Sequence, residues 1–241
     1  MPAKAKAKAA PEPAPFTGFD PQMFQFLLEL TANNNREWFN ANKPRYEQLI
    51  REPARALARA MDERFTTAEA HLKADDRKMG GSLMRIYRDT RFGADKTPYK
   101  TNVGIQFRHE AGKDVHAPGL YLHISLEEIF IGLGMWRPDR EPLAQIRARI
   151  AEKGDEYTAI INDPKFTARF EQAGDTLKRP PKGYVKEHPM IVELKRKDHI
   201  LVQPLEADVL STTALVDELM AAYEAGHGYC KFLCDAQGLP F

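Results

Sequence analysis

Between Leu83 and Trp136 the chain carries four stretches in which side chains alternate with a period of two, and nothing else in it restricts the fold as tightly. Leu83, Arg85 and Tyr87 alternate with Met84, Ile86 and Arg88, and Val103, Ile105 and Phe107 with Gly104, Gln106 and Arg108. Leu120, Leu122 and Ile124 alternate with Tyr121, His123 and Ser125, and Ile129, Ile131, Leu133 and Met135 with Phe130, Gly132, Gly134 and Trp136. Successive side chains of a strand point to opposite faces. Four such runs at hairpin-compatible spacing therefore predict an antiparallel meander with one face on a core and the other carrying the polar set. A fifth strand is expected over 199–203, closed by Pro204.

Helical spacing flanks the meander on both sides. Asp20-Pro21 opens a first helix with Phe24, Leu27, Leu28 and Leu30 on its stripe, ended by Asn33-Asn34-Asn35. A short second helix opens at Arg36-Glu37-Trp38-Phe39, and Asn42-Lys43-Pro44 is expected to interrupt it. A longer one follows from Pro44 to about Phe65, kinked at Pro53, and 66–78 reads as a connection. Beyond the meander, helical period returns over 138–153, near 164–172, briefly over 189–195, and over 212–226 with the stripe continuing through 229–235. The proline-rich stretch 177–184 reads as a surface loop. Residues 1–18 form an Ala/Lys/Pro tail too poor in apolar side chains to order, and 19–241 is expected to be a single domain. The fold class is α+β: an antiparallel β-meander of four to five strands packed against N- and C-terminal helices.

Charge is unevenly distributed. The chain has a formal net charge of only +1, yet from Arg77 to Lys113 nine Lys and Arg face three Asp and Glu. Arg85, Arg88, Arg91, Lys96, Lys100 and Arg108 fall within one predicted hairpin. Guanidinium forks and lysine ammoniums are suited to phosphate or carboxylate oxygens, and Thr90, Thr97 and Tyr99 offer neutral donors beside them. Three readings stay open: these cations clamp a small phosphate- or carboxylate-bearing ligand, with or without turning it over; they pair with Asp89, Asp95, Glu110 and acids from the helices; or they form a nucleic-acid or protein interaction surface. The tail lysines Lys4, Lys6 and Lys8 are expected to be solvated.

Other residues are candidates for chemistry. His109 and Tyr99 lie beside the basic loop as donors or proton carriers, and Glu37 is placed to orient a ligand or neutralise an arginine if its turn faces the sheet. His109, His116 and His123 recur at equal spacing but match no metal motif, so no metal is assigned. Trp38 and Trp136 read as core side chains or as stacking platforms. Cys230 and Cys234, the only cysteines, read as buried small apolar residues; with no disulfide framework, the expected compartment is a reducing cytoplasm. No signal-peptide pattern opens the chain and no run of about 18 apolar residues occurs, so no membrane association is expected. The phosphate-binding P-loop, the dinucleotide glycine fingerprint, the nucleophile elbow and the zincin helix are all missing, and no cofactor is named by any motif.

Several of these stretches together resemble one family. They are Asn33-Asn34-Asn35-Arg36-Glu37-Trp38-Phe39, Gly80-Gly81-Ser82 with Arg85-Ile86-Tyr87-Arg88-Asp89-Thr90-Arg91-Phe92, Asp95-Lys96-Thr97-Pro98-Tyr99-Lys100, Gly104-Ile105-Gln106-Phe107-Arg108-His109-Glu110 and Gly238-Leu239-Pro240-Phe241. The family is the widespread bacterial domain-of-unknown-function family numbered twenty-four sixty-one. The resemblance spans nearly the whole chain after the tail and implies a single domain. It brings no activity, cofactor or catalytic residue with it.

Overall fold

Three of the four period-two runs form consecutive strands of a sheet in which every neighbouring pair is antiparallel. The structure is a computed structural model and describes residues 13–91, 95–111 and 117–241. Its strands are β1 (Leu72–Lys73), β2 (Val103–His109), β3 (Gly119–Ile124), β4 (Ile129–Met135), β5 (Glu171–Ala173) and β6 (His199–Pro204), in the order β1-β2-β3-β4-β6-β5. In register, Ile105 faces Leu122, Leu122 faces Ile131, and Leu133 faces Leu201. These residues belong to one parity and are fully or almost fully buried. The fold is the expected α+β domain, with a sixth strand and two strands in unexpected places. β1 lies inside the stretch read as a connection, and β5 follows directly on a helix shorter than its pattern implied.

The first run, 83–88, does not form a regular strand. Ser82 and Met84 exchange main-chain hydrogen bonds with β2, at Gln106 N and Gly104 O, and then Ile86 and Arg88 bond instead to Lys100 N and Pro98 O. Only isolated bridges result, Leu83 to Ile105 and Tyr87 to Tyr99. A proline in the partner segment has no N–H to continue a ladder. This segment and β1 together line the outer edge of β2.

Helices cover one face of the sheet. They are α1 (Gln22–Ala32), α2 (Arg36–Tyr46), α3 (Glu52–Thr67), α4 (Arg140–Glu152), α5 (Gly154–Ile161), α6 (Pro164–Thr167), α7 (Ile191–Leu194) and α8 (Ala214–Asp235). Phe65 of α3 meets Phe107 of β2 edge-on at 5.6 Å and Tyr223 of α8 at 6.0 Å, which ties the sheet to both terminal helical groups. Pro44 does not interrupt α2 as expected. An interior proline costs about 3 kcal/mol, but Phe39 and Tyr46 on either side of it are both buried, and burying such a side chain contributes about 1.5–3 kcal/mol each. The irregularity falls later: a π-helical turn over Glu47–Arg51 precedes Pro53, which then sits in the first turn of α3, where its missing N–H costs little.

Ordered packing begins ahead of the expected boundary at residue 19. Phe16 is buried in the core, and an Arg59 guanidinium N–H donates to Ala14 O at 2.9 Å. The tail lysines, like Phe92, Lys113 and His116, lie outside the described residues. Among the described residues no helix is long and apolar enough to cross a membrane.

Candidate functional site

With the helices on one side, the other face of β2, β3, β4 and β6 carries Gly104, Gln106 and Arg108, then Gly119, Tyr121 and His123, then Phe130, Gly132 and Gly134, then Ile200 and Val202. Glycines are concentrated at its centre. Gly119 stands opposite Gly134, and Tyr121 stands opposite Gly132. A strip of bare main chain therefore forms the floor of a hollow of about 480 Å³. Tyr121, Phe130, Ile200, Val202, Met84 and Trp136 wall it, and Arg88, Lys100, Asn102 and Gln106 supply its polar side. No acidic side chain is among the described residues that line it. A Cβ at Gly104 would stand 2.7 Å from the Tyr121 hydroxyl, so a larger residue there would displace the Tyr121 side chain.

Tyr121 leans on its strand neighbours. Its hydroxyl shares a 3.1 Å hydrogen bond with His123 Nδ1, and the His123 ring stacks on Phe130 with centroids 4.7 Å apart. Burial pushes the Tyr121 phenol up to about 12 and lowers His123, so both are neutral near pH 7. Trp136 is 54% exposed, not part of the core, and the Arg137 guanidinium lies 4.6 Å over its ring. Trp38 does pack inward, 5.6 Å from Phe26.

The six candidate cations are not gathered in one place. Arg88 and Lys100 share the sheet-face hollow. Arg88 also forms an ion pair with Asp95. Lys100 is half-buried and makes no ion pair among the described residues; burial first, and the Arg85 charge second, lower its pKa. Arg85 is exposed and likewise makes no ion pair among the described residues. Arg91 pairs with Asp89 at 2.7 Å, and the Lys96 ammonium donates to Thr90 O at 2.8 Å. Lys96 lines a second open hollow with Asn34, Arg36 and Tyr87, which Arg88 also borders. Arg108 lines a third, smaller one with Lys73 and Arg77, beside Asp75 and Glu110.

The three candidates for proton chemistry lie outside the sheet-face hollow: Tyr99 borders the hollow of Lys96, and His109 that of Arg108. Tyr99 is 2% exposed and stacks on Phe39 at 4.1 Å. Its main chain is gripped by Asn34, whose Nδ2 donates to Tyr99 O at 3.0 Å while Oδ1 accepts from Tyr99 N at 3.1 Å. His109 is 1% exposed on the helix side of β2, with Phe107, as its parity implied. There the Ala111 N–H donates to Nδ1 at 3.1 Å, which leaves Nε2 to carry the proton and donate to Pro240 O at 2.7 Å. His109 thus anchors the Gly-Leu-Pro-Phe terminus and does not face the hollow. Glu37 is exposed in the first turn of α2 and lines none of these hollows. Among the described residues no group of His, Cys, Asp and Glu is placed to hold a metal ion.

Tyr121, Phe130, the glycine floor and Asn102 were not singled out by residue type. The available signal was the parity of Gly104, Gly132 and Gly134, which fall on the same side of their strands as Tyr121 and Phe130.

The family model described as Conserved hypothetical protein (DUF2461) matches residues 22–232. The chain belongs to this family. The matched span holds all six strands and the whole lining of the sheet-face hollow, from Met84 to Val202. Neither the curated proteins nor the solved structures include a match to the chain.

Proposed function

We propose that this member of the family binds a small carboxylate- or phosphate-bearing molecule in the hollow on the open sheet face. Lys100 carries the anion, Arg88 stands beside it, and Arg85 adds to the positive potential from outside. One observation supports this above the rest: among the described residues the half-buried Lys100 ammonium has no acid against it, and no acidic side chain lines its cavity. A charge taken partly out of water without a counter-ion is costly, and an anionic ligand offsets that cost. The volume lies within the usual range for small-molecule sites.

The test is calorimetric titration or thermal-shift screening with phosphate- and carboxylate-bearing metabolites, on the wild type and on Lys100→Met. A hit should weaken about tenfold or more in the variant, the factor implied by losing one charge-assisted hydrogen bond of about 1.5–3 kcal/mol. Folding stability should stay level or rise, because the substitution removes an unpaired charge. A library without a hit, or a hit indifferent to Lys100, overturns the proposal.

The nucleic-acid alternative has less in its favour, since Arg88 and Arg91 are already paired with Asp95 and Asp89 and the remaining cations are spread over separate hollows. It predicts retention on DNA or RNA that falls steeply with salt. A cytoplasmic setting fits Cys230 and Cys234, which are free and buried in α8.

A further inference from the structure

We infer that the ligand bound in the sheet-face hollow carries a planar aromatic or heteroaromatic ring, laid on the glycine floor with its anionic substituent toward Lys100. This rests on the proposed anion site and specifies the rest of the molecule. Gly119, Gly132 and Gly134 put no side chain on the floor, and Gly119 and Gly134 face each other across β3 and β4. A strip without side chains leaves room for a ring face, where ordinary strand side chains would fill that space. The walls are aromatic, with Tyr121 and Phe130 6.1 Å apart on one side and Trp136 at the mouth. Aromatic rings prefer other rings in offset or edge contact.

The mouth is also held in a costly conformation. Arg137 is a non-glycine residue at φ +48°, fixed there by its N–H donating to Asp198 Oδ1 at 2.7 Å. Asp198 is buried and accepts a second main-chain bond from Asp175 N at 2.8 Å. The Arg137 guanidinium lies over the Trp136 ring, and the half-exposed indole lines the hollow. Backbone held in sparsely populated regions clusters at active sites and ligand clamps.

Matched pairs of probes test the inference: indole-3-acetate against cyclohexanecarboxylate, and adenosine monophosphate against ribose 5-phosphate. Binding is measured by calorimetry on the wild type, Gly132→Val, Trp136→Ala and Lys100→Met. At least one ring-bearing anion should bind about tenfold or more tightly than its partner without an aromatic ring, and which pair shows it separates carboxylates from nucleotides. Gly132→Val should abolish that preference with little change in unfolding temperature, since a Cβ at Gly132 makes only ordinary contacts of 3.6 Å or more while the branches enter the hollow. Trp136→Ala, at an exposed site, should weaken only the ring-bearing probes. Lys100→Met should weaken every anion that binds. Equal binding of both members of each pair, still dependent on Lys100, overturns the ring and leaves the anion site standing. Binding of nothing, or binding untouched by Lys100→Met, removes both.

Discussion

Three consecutive asparagines between α1 and α2 do three different jobs. Asn33 closes α1, with its amide donating to Glu29 O at 2.9 Å. Asn35 caps α2 by accepting from Trp38 N at 2.9 Å. Asn34, between them, reaches 65 residues along the chain to pair with the main chain of Tyr99 as a second peptide would. Asn34→Ala removes both bonds and leaves a partly buried N–H and C=O without partners. Urea unfolding should show a loss of about 1–3 kcal/mol. The capping roles were readable from residue type, because asparagine favours helix ends for reasons internal to its own side chain. The clamp was not, because its partner is set by tertiary folding. His109 illustrates the same division: parity gives its face, but Pro240, 131 positions away, decides what its ring does.

At the level of elements, α8 is the clearest case of a local preference being overridden. The sequence pattern ends the helix at 226 with only its stripe continuing through 229–235, yet the helix runs unbroken from Ala214 to Asp235. Gly226 sits where α8 crosses β4, and a Cβ there would overlap Leu133 Cδ2. Replacing it by alanine gains about 1 kcal/mol of helix propensity, but forces an overpacked contact costing about 1–3 kcal/mol. Gly226→Ala should therefore be neutral to destabilising by up to about 2 kcal/mol. In a Leu133→Ala background the same change should become stabilising, and chemical denaturation of the two pairs measures the reversal. The apolar stripe of α8 was legible because its period repeats over six turns. The reason for glycine was not, since it lies on the opposing strand. The run 83–88 failed as a strand for a related cause, with its pairing shared between β2 and a segment containing Pro98.

For the molecule as a whole, the largest electrostatic burden lies on the helix side of the sheet. His199 is fully buried in β6, neither ring nitrogen has a hydrogen-bond partner among the described residues, and Arg196 and Arg147 lie near it. Burial, reinforced by those two cations, lowers its pKa to about 3. Below the ordinary histidine range the unfolded chain takes up a proton that the folded one refuses, so stability is retained above about pH 6.5 and lost as pH falls toward 3. At about 1.36 kcal/mol per unit, the drop from pH 6.5 to 5 is about 2 kcal/mol. His199→Phe should flatten that slope in equilibrium denaturation while leaving stability at pH 8 the same or higher. An unchanged slope would place the acid sensitivity elsewhere.

The two borders of the sheet carry a consequence for how copies of this protein behave together. One outermost strand, β5, is three residues long; the other, β1, has two, and the irregular stretch at Ser82–Met84 occupies further positions along β2. Short margins of this kind offer a neighbouring molecule little free main chain on which to register. Crowding should therefore favour transient side-chain encounters over growth of the sheet from one molecule into the next.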